Sequence, residues 1–286
     1  MTEVLAGERV VSAVRPDAEP ATRGRRQSPL LRIGGELDTR WRVGLSAAGV
    51  ALVLVAWSLA AARANDAALF PTPLAAARAL GDMWSDGALR SDLWASSHRI
   101  LIGYGMSVAF GAVFGILIGS FPSVEAFFEA QIGFLRYIPA AALSPVFLLW
   151  LGIGESPKVW LIVVGTVFFN ILMIADVARA VPRELINAAY TLGAGRWTVL
   201  RRVIARFSVP GIVDAARVNL AAAWLMLVVA EILAADHGLA ISIIKLQRFR
   251  AVDGMFALLF TFGVIGLVSD LFLRFLRNRL APWAKS

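Results

Sequence analysis

Asp214, Arg217, Glu231 and Asp270 are ionisable residues that interrupt apolar runs long enough to cross a membrane. Charge within such a run is costly, and it marks either a solute pathway or a pairing between helices. Asp214 and Arg217, at i and i+3, can pair on one helix face. The three carboxylates all lie toward the ends of their runs, where water is expected nearby. A coupled carrier would need such groups at mid-membrane. Catalysis has less support still. The two histidines, His98 and His237, stand far apart without clustered carboxylates, and each reads as an interfacial or surface residue. The chain has no cysteine, which removes disulfides and thiolate metal sites. No lysine follows a glycine, so the P-loop that cradles nucleotide phosphates is missing from this sequence. No enzyme active site, metal or cofactor is expected in this chain.

A second group of residues is polar or helix-breaking without being charged. Pro139 and Pro145 interrupt the third apolar run, where each removes a backbone donor and crowds the preceding turn. Carbonyls freed this way are tolerated at membrane depth where they face protein or a water-filled cavity. Asn170 is the one strongly polar residue inside the fourth run and reads first as glue between helices. Asn219 and Trp224 lie deeper in the fifth run than its charges do. These five residues form the candidate pathway lining.

The elements that must hold them follow from composition. Hydrophobic residues make up 58% of the sequence, which places it among membrane proteins. The net charge of +8 is not gathered into a basic patch interleaved with aromatics, so nucleic acid is not an expected partner. Residues 1–42 read as a mostly disordered polar tail, eight arginines among six acids, with no apolar core of the signal-peptide kind. Six spans are expected: 43–62, 100–121, 134–151, 159–175, 212–233 and 255–275. At about 1.5 Å per residue, runs of about 20 residues cross a hydrocarbon core of about 30 Å. Between the first two spans, 70–98 predicts an interfacial amphipathic helix and turn carrying Trp84 and Trp94. In the second span, Gly103, Ser107, Gly111, Gly115 and Gly119 recur every four positions, which predicts close packing against another helix.

Between the fourth and fifth spans lies a basic, amphipathic insert from Pro182 to Pro210. It reads as two short helices joined at Gly193. Leu185, Ala188, Ala189 and Leu192 recur at i, i+3, i+4 and i+7, and small Ala188 and Ala189 would let another protein's backbone approach closely. Gly193 suits the left-handed residue that ends a helix. In the second helix Trp197, Leu200, Val203, Ile204 and Phe207 share a side, with Arg196, Arg201, Arg202 and Arg206 on the others. With both termini inside, 19 basic residues fall on inner segments and eight on outer ones, of 28 in all. This excess puts the insert in the cytoplasm.

Asn187-Ala188-Ala189, then Gly193, then Val203 onward, resembles the EAA loop in the membrane subunits of bacterial ABC importers. The runs from Tyr137 to Ser156 and from Ala221 to Leu233 extend the resemblance, which covers about 70–275. Together they look most like the branch that imports nitrate, taurine and alkanesulfonates. The resemblance implies an all-α membrane protein, a six-helix type I permease bundle with a cytoplasmic coupling helix, in the bacterial inner membrane. It implies that Glu184, Asn187, Ala188, Ala189, Gly193 and Arg196 face a separate ATPase subunit, which holds the ATP and its magnesium. A second permease copy, forming a homodimer, and a periplasmic or lipid-anchored solute-binding protein complete the implied assembly. Residues 43–69 would be a first helix and linker, 70–275 the permease core and 276–286 a basic cytoplasmic tail. Two positions depart from the family pattern: Asn187 stands where the loop usually has glutamate, and Arg206 where a proline is usual. Glu184, about one turn earlier, is a candidate to supply the missing acid. The rival reading is an ATP-independent carrier or channel.

Overall fold

The computed structural model describes residues 37–64 and 69–284, and every regular element among them is helical. Residues 1–36 of the expected tail, 65–68 of the linker and the last two residues lie outside the described residues. The chain divides into two units, one ending at Leu54 and the other running Val55–Ser286. Helix α1 (Thr39–Arg63) carries the first expected span across that boundary. Within the second unit, Trp57 Nε1 donates to the Pro71 carbonyl at 3.0 Å and its ring stacks on Phe256.

Helix α2 (Pro73–Ser85) starts where Thr72 caps it. The threonine Oγ1 accepts from Ala75 N–H at 3.2 Å, and Pro73 takes a first-turn position that needs no donor. After a left-handed Gly87, α3 runs Ala88–Ser120. The span therefore begins twelve residues before the expected Ile100, and Trp94 and His98 belong to it rather than to an interfacial helix. No proline or glycine between Ala88 and Gly103 interrupts the hydrogen-bond ladder, so the polar turns continue the apolar helix.

The small-residue face of α3 lies against α6 (Glu155–Arg179). A Cβ added to Gly111 would come 2.7 Å from Asn170 Cβ, and one on Gly115 would sit 2.8 Å from both Ile171 O and Ile174 Cβ. Only glycine permits that approach. Ile100, Tyr104, Ile162, Ala216, Leu220, Ala223 and Leu227 join α3 and α6 to α8 (Arg196–Ala234) in the main core.

The third span differs most from expectation. It begins at Pro122 rather than Phe134, as α4 (Pro122–Leu135). A 3-10 turn (Ala140–Leu143) and α5 (Ser144–Leu151) then follow at an 80° bend. The prolines predict a kinked or partly opened helix, and it opens into a full break: α4 ends at Leu135, and Pro139 is extended ahead of the 3-10 turn. Pro145 does not kink anything, since it occupies the first turn of α5.

The insert also differs. Its first helix, α7 (Arg183–Thr191), is separate, but its second does not end at Pro210. A π-helical turn, Val199–Ile204, carries it directly into the fifth span, and Pro210 sits inside the resulting helix. The chain ends with α9 (Leu239–Arg248) and α10 (Val252–Leu280). Five described helices are long and apolar enough to cross a membrane, and six spans result if α4 and α5 are taken as one broken crossing.

Candidate functional site

Helix α7 is held by its C-terminal cap and by the packing of its inner face. At its C-terminus Gly193 has φ +79°, Gly193 N–H donates to Tyr190 O at 2.9 Å, and Ala194 N–H donates to Ala189 O at 3.0 Å. This pair of bonds is a Schellman cap, which needs a left-handed residue at the glycine. Ile186 and Ala189 then pack on Val181, Val199, Leu200 and Ile204, which seats α7 on the start of α8. Of the apolar stripe read from the sequence, only Ala189 packs on the buried cluster, while Leu185 borders an open groove with Val203, Phe207 and Trp283. Leu185 and Ala188 are exposed, and Leu192 is 87% exposed. Glu184, Asn187 and Arg196 are exposed as well. The result is a short rigid helix that presents an apolar stripe flanked by polar groups to whatever lies beyond it.

At the opposite end of the bundle, charges are enclosed. Arg99 in α3 forks onto Glu155 at 2.6 and 2.8 Å and reaches Glu231 in α8 at 2.9 Å. Glu231 also accepts from Ser96 Oγ at 2.6 Å and from Ala240 N–H at 2.9 Å. Lys158 bonds Glu155 at 2.8 Å. The expectation that Glu231 reaches water is corrected: it is fully buried, because the loop after α8 and the start of α9 fold back over it. Gly238, at φ +144°, leaves room for that carboxylate. Near the α7 end, Arg217 pairs with Asp214 at 3.3 Å, as the i, i+3 spacing predicts. It also forks onto Asp270 in α10 at 2.9 and 3.2 Å, a partner that no local spacing reveals.

The candidate lining residues do not come together in one place. Asn219 Nδ2 donates to Asn170 Oδ1 at 2.9 Å and to Thr166 O at 3.1 Å, while Asn170 Nδ2 donates to Ser107 Oγ at 2.9 Å. This chain of bonds ties α8, α6 and α3 together, and both asparagines are buried in it. Trp224 is half-buried between two apolar cavities of about 760 and 500 Å³, edge-on to Phe262. Pro139 lines a third cavity of about 300 Å³ at the break between α4 and α5. Pro145 lies beyond it, in the first turn of α5.

One residue at that break escapes a reading from sequence. Arg136 precedes an apolar run and looks like a basic anchor at a membrane surface. The structure instead sets it on the cavity beside Pro139, Gly165 and Phe169. The signal available was the proline three residues later, which ends the helix at the arginine.

Residues 108–282 match the family described as binding-protein-dependent transport system inner membrane component. The taurine transport system permease protein TauC of Escherichia coli (strain K12) is 32% identical, covering 86% of this chain and 94% of that protein. The putative aliphatic sulfonates transport permease protein SsuC of Bacillus subtilis (strain 168) is 30% identical, covering 77% of this chain and 80% of its own length. Among solved structures, the MetNI methionine ABC transporter in inward-facing conformations superposes with a TM-score of 0.58 at 19% identity. That match covers 70% of this chain and 97% of the other and speaks for the fold. Because the family match runs from within α3 through the whole of α10, the chain belongs to the family of binding-protein-dependent transport system inner membrane components, the permease subunits of ABC importers.

Proposed function

We propose that this permease imports a small organic anion of the sulfonate class, driven by ATP hydrolysed on a separate subunit. The cargo class is supported by the relatives named for taurine and for aliphatic sulfonates. The observation that carries the coupling is α7: a capped helix seated on α8, with Leu185, Ala188 and Leu192 turned outward. Such a stripe suits insertion into a groove of a partner. Glu184, Asn187, Ala188, Gly193 and Arg196 form this docking surface, which Ala189 backs from the bundle side, with Glu184 replacing the acid that Asn187 lacks. Because the second helix of the insert is continuous with α8, a push on α7 tilts a spanning helix directly.

In this reading α7 and both termini are cytoplasmic, as the basic-residue excess favours. A periplasmic or lipid-anchored solute-binding protein delivers cargo at the opposite end, and a second copy of this chain completes the pathway. Residues 43–69 form a first helix and linker, 70–275 the transporting core and 276–286 a basic tail. Nucleotide and magnesium belong to the partner. Pro139 and Trp224, which line cavities, are placed in or near the pathway, and Asn170 and Asn219 hold its wall.

Reconstitution tests this directly. The permease, its ATPase subunit and its solute-binding protein in proteoliposomes are expected to take up radiolabelled taurine only with ATP inside the reach of the ATPase. Equal uptake by the permease alone would establish an independent carrier and overturn the reading.

A further inference from the structure

We infer that Arg136, together with Tyr137, is the cationic station that receives the anionic solute midway across the bundle; this rests on the import reading above. Arg136 closes α4, with its N–H donating to Ile132 O, and the chain turns through 80° just beyond it. The cavity at this turn is walled by Gly165 and Phe169 of α6 and Met226 of α8. Gly165 lies ten residues from the start of α6 and fourteen from its end. At about 1.5 Å per residue, it sits about 15 Å from one end and about 21 Å from the other. The cavity is therefore near the middle of a layer about 30 Å thick.

Arg99 and Lys158, the two buried cations, and the part-buried Arg217 are each paired with carboxylates. Among the described residues no carboxylate pairs with Arg136. Its Nη2 donates to Tyr137 Oη at 3.0 Å and its guanidinium lies 4.8 Å from the centre of that ring. Both side chains are exposed, Arg136 on the rim of the cavity and Tyr137 beside it. An arginine without a counter-ion at this depth is costly against lipid, so this surface faces water or protein. A guanidinium offers a planar fork of donors that matches an oxyanion, and the Tyr137 hydroxyl, accepting from Arg136, keeps its own proton to donate. The cavity of about 300 Å³ is at the small end of the range for small-molecule sites, which suits a compact sulfonate. A charge that is neutralised only while cargo passes would favour anions over neutral or cationic solutes without holding them tightly.

The absence of cysteine makes the test clean. In the complete complex, Arg136→Gln is expected to lower ATP-driven taurine uptake at least about tenfold, while Arg136→Lys keeps most of the uptake. In a separate Tyr137→Cys variant, a sulfonate-bearing methanethiosulfonate reagent should label the thiol about tenfold faster than its trimethylammonium counterpart. Adding Arg136→Gln should remove that preference. Undiminished uptake by Arg136→Gln, equal labelling by the two reagents, or no labelling by either would overturn the inference. A wild-type complex that takes up no sulfonate would instead fail the import reading, and the labelling preference would still decide for or against an anion station.

Discussion

Arg99 Nη1 lies 2.9 Å from Glu231 Oε1, and both side chains are almost wholly shielded from solvent. The pair joins α3 to α8 at the end of the bundle away from α7, and Ser96 and Ala240 complete the carboxylate's hydrogen bonds. Arg99 is the one cation paired with Glu231 among the described residues, so removing it strands a fully buried carboxylate, a loss of about 3–5 kcal/mol, whereas removing both costs far less. Arg99→Met is therefore expected to lower the thermal midpoint of the detergent-solubilised protein sharply. The double variant Arg99→Met/Glu231→Leu should recover much of that loss. Additive effects in the cycle would show that the two residues act separately.

Gly115 should tolerate no side chain. A Cβ there meets Ile171 O and Ile174 Cβ at 2.8 Å, and backbone cannot retreat as a side-chain tip can. Gly115→Val is expected to force α3 and α6 apart at a cost of about 1–3 kcal/mol. Gly105→Val is the control, because nothing lies within 4 Å of its added Cβ. Comparing the two variants by thermal unfolding checks the prediction, and similar losses for both would count against close packing as the cause.

The Asn170–Asn219 bond makes its own prediction. If these side chains hold helices together, Asn219→Ala should destabilise by about 0.6 kcal/mol, and by no more than about 1.7 kcal/mol. Its ATP-driven uptake, measured at a temperature where the fold is intact, should stay within about twofold of wild type. A large loss of uptake with unchanged unfolding would place Asn219 in contact with cargo.

Gly193 and Leu192 test the α7 surface. Gly193→Val must place a β-branched residue at φ +79°, a conformation that costs about 1–2 kcal/mol or more, and this disturbs the cap rather than the bundle. Membrane insertion should persist while ATP hydrolysis and uptake become uncoupled. Leu192→Cys should be labelled by an impermeant maleimide from the cytoplasmic face and protected once the ATPase subunit is bound. Labelling only from the outer face would put α7 on the wrong side for coupling.

Much of this protein was legible in its residue pattern. Apolar runs predict helices because lipid forbids unpaired backbone groups, and a small residue every four positions in α3 predicts a close neighbour for the same local, periodic reason. Gly193 was readable as a helix end because few residues adopt its conformation. Boundaries were less legible: α3 begins at Ala88, and the second helix of the insert runs into α8, because hydrogen-bond ladders ignore changes in polarity. What only the tertiary structure decided was which groups meet across the bundle. Arg217 with Asp270, Arg99 with Glu231 and Asn170 with Asn219 are separated by 53, 132 and 49 positions. Spacing along one helix carries no information about such partners. The same holds for Arg136, whose place at mid-depth depends on where a broken helix comes to rest against α6 and α8.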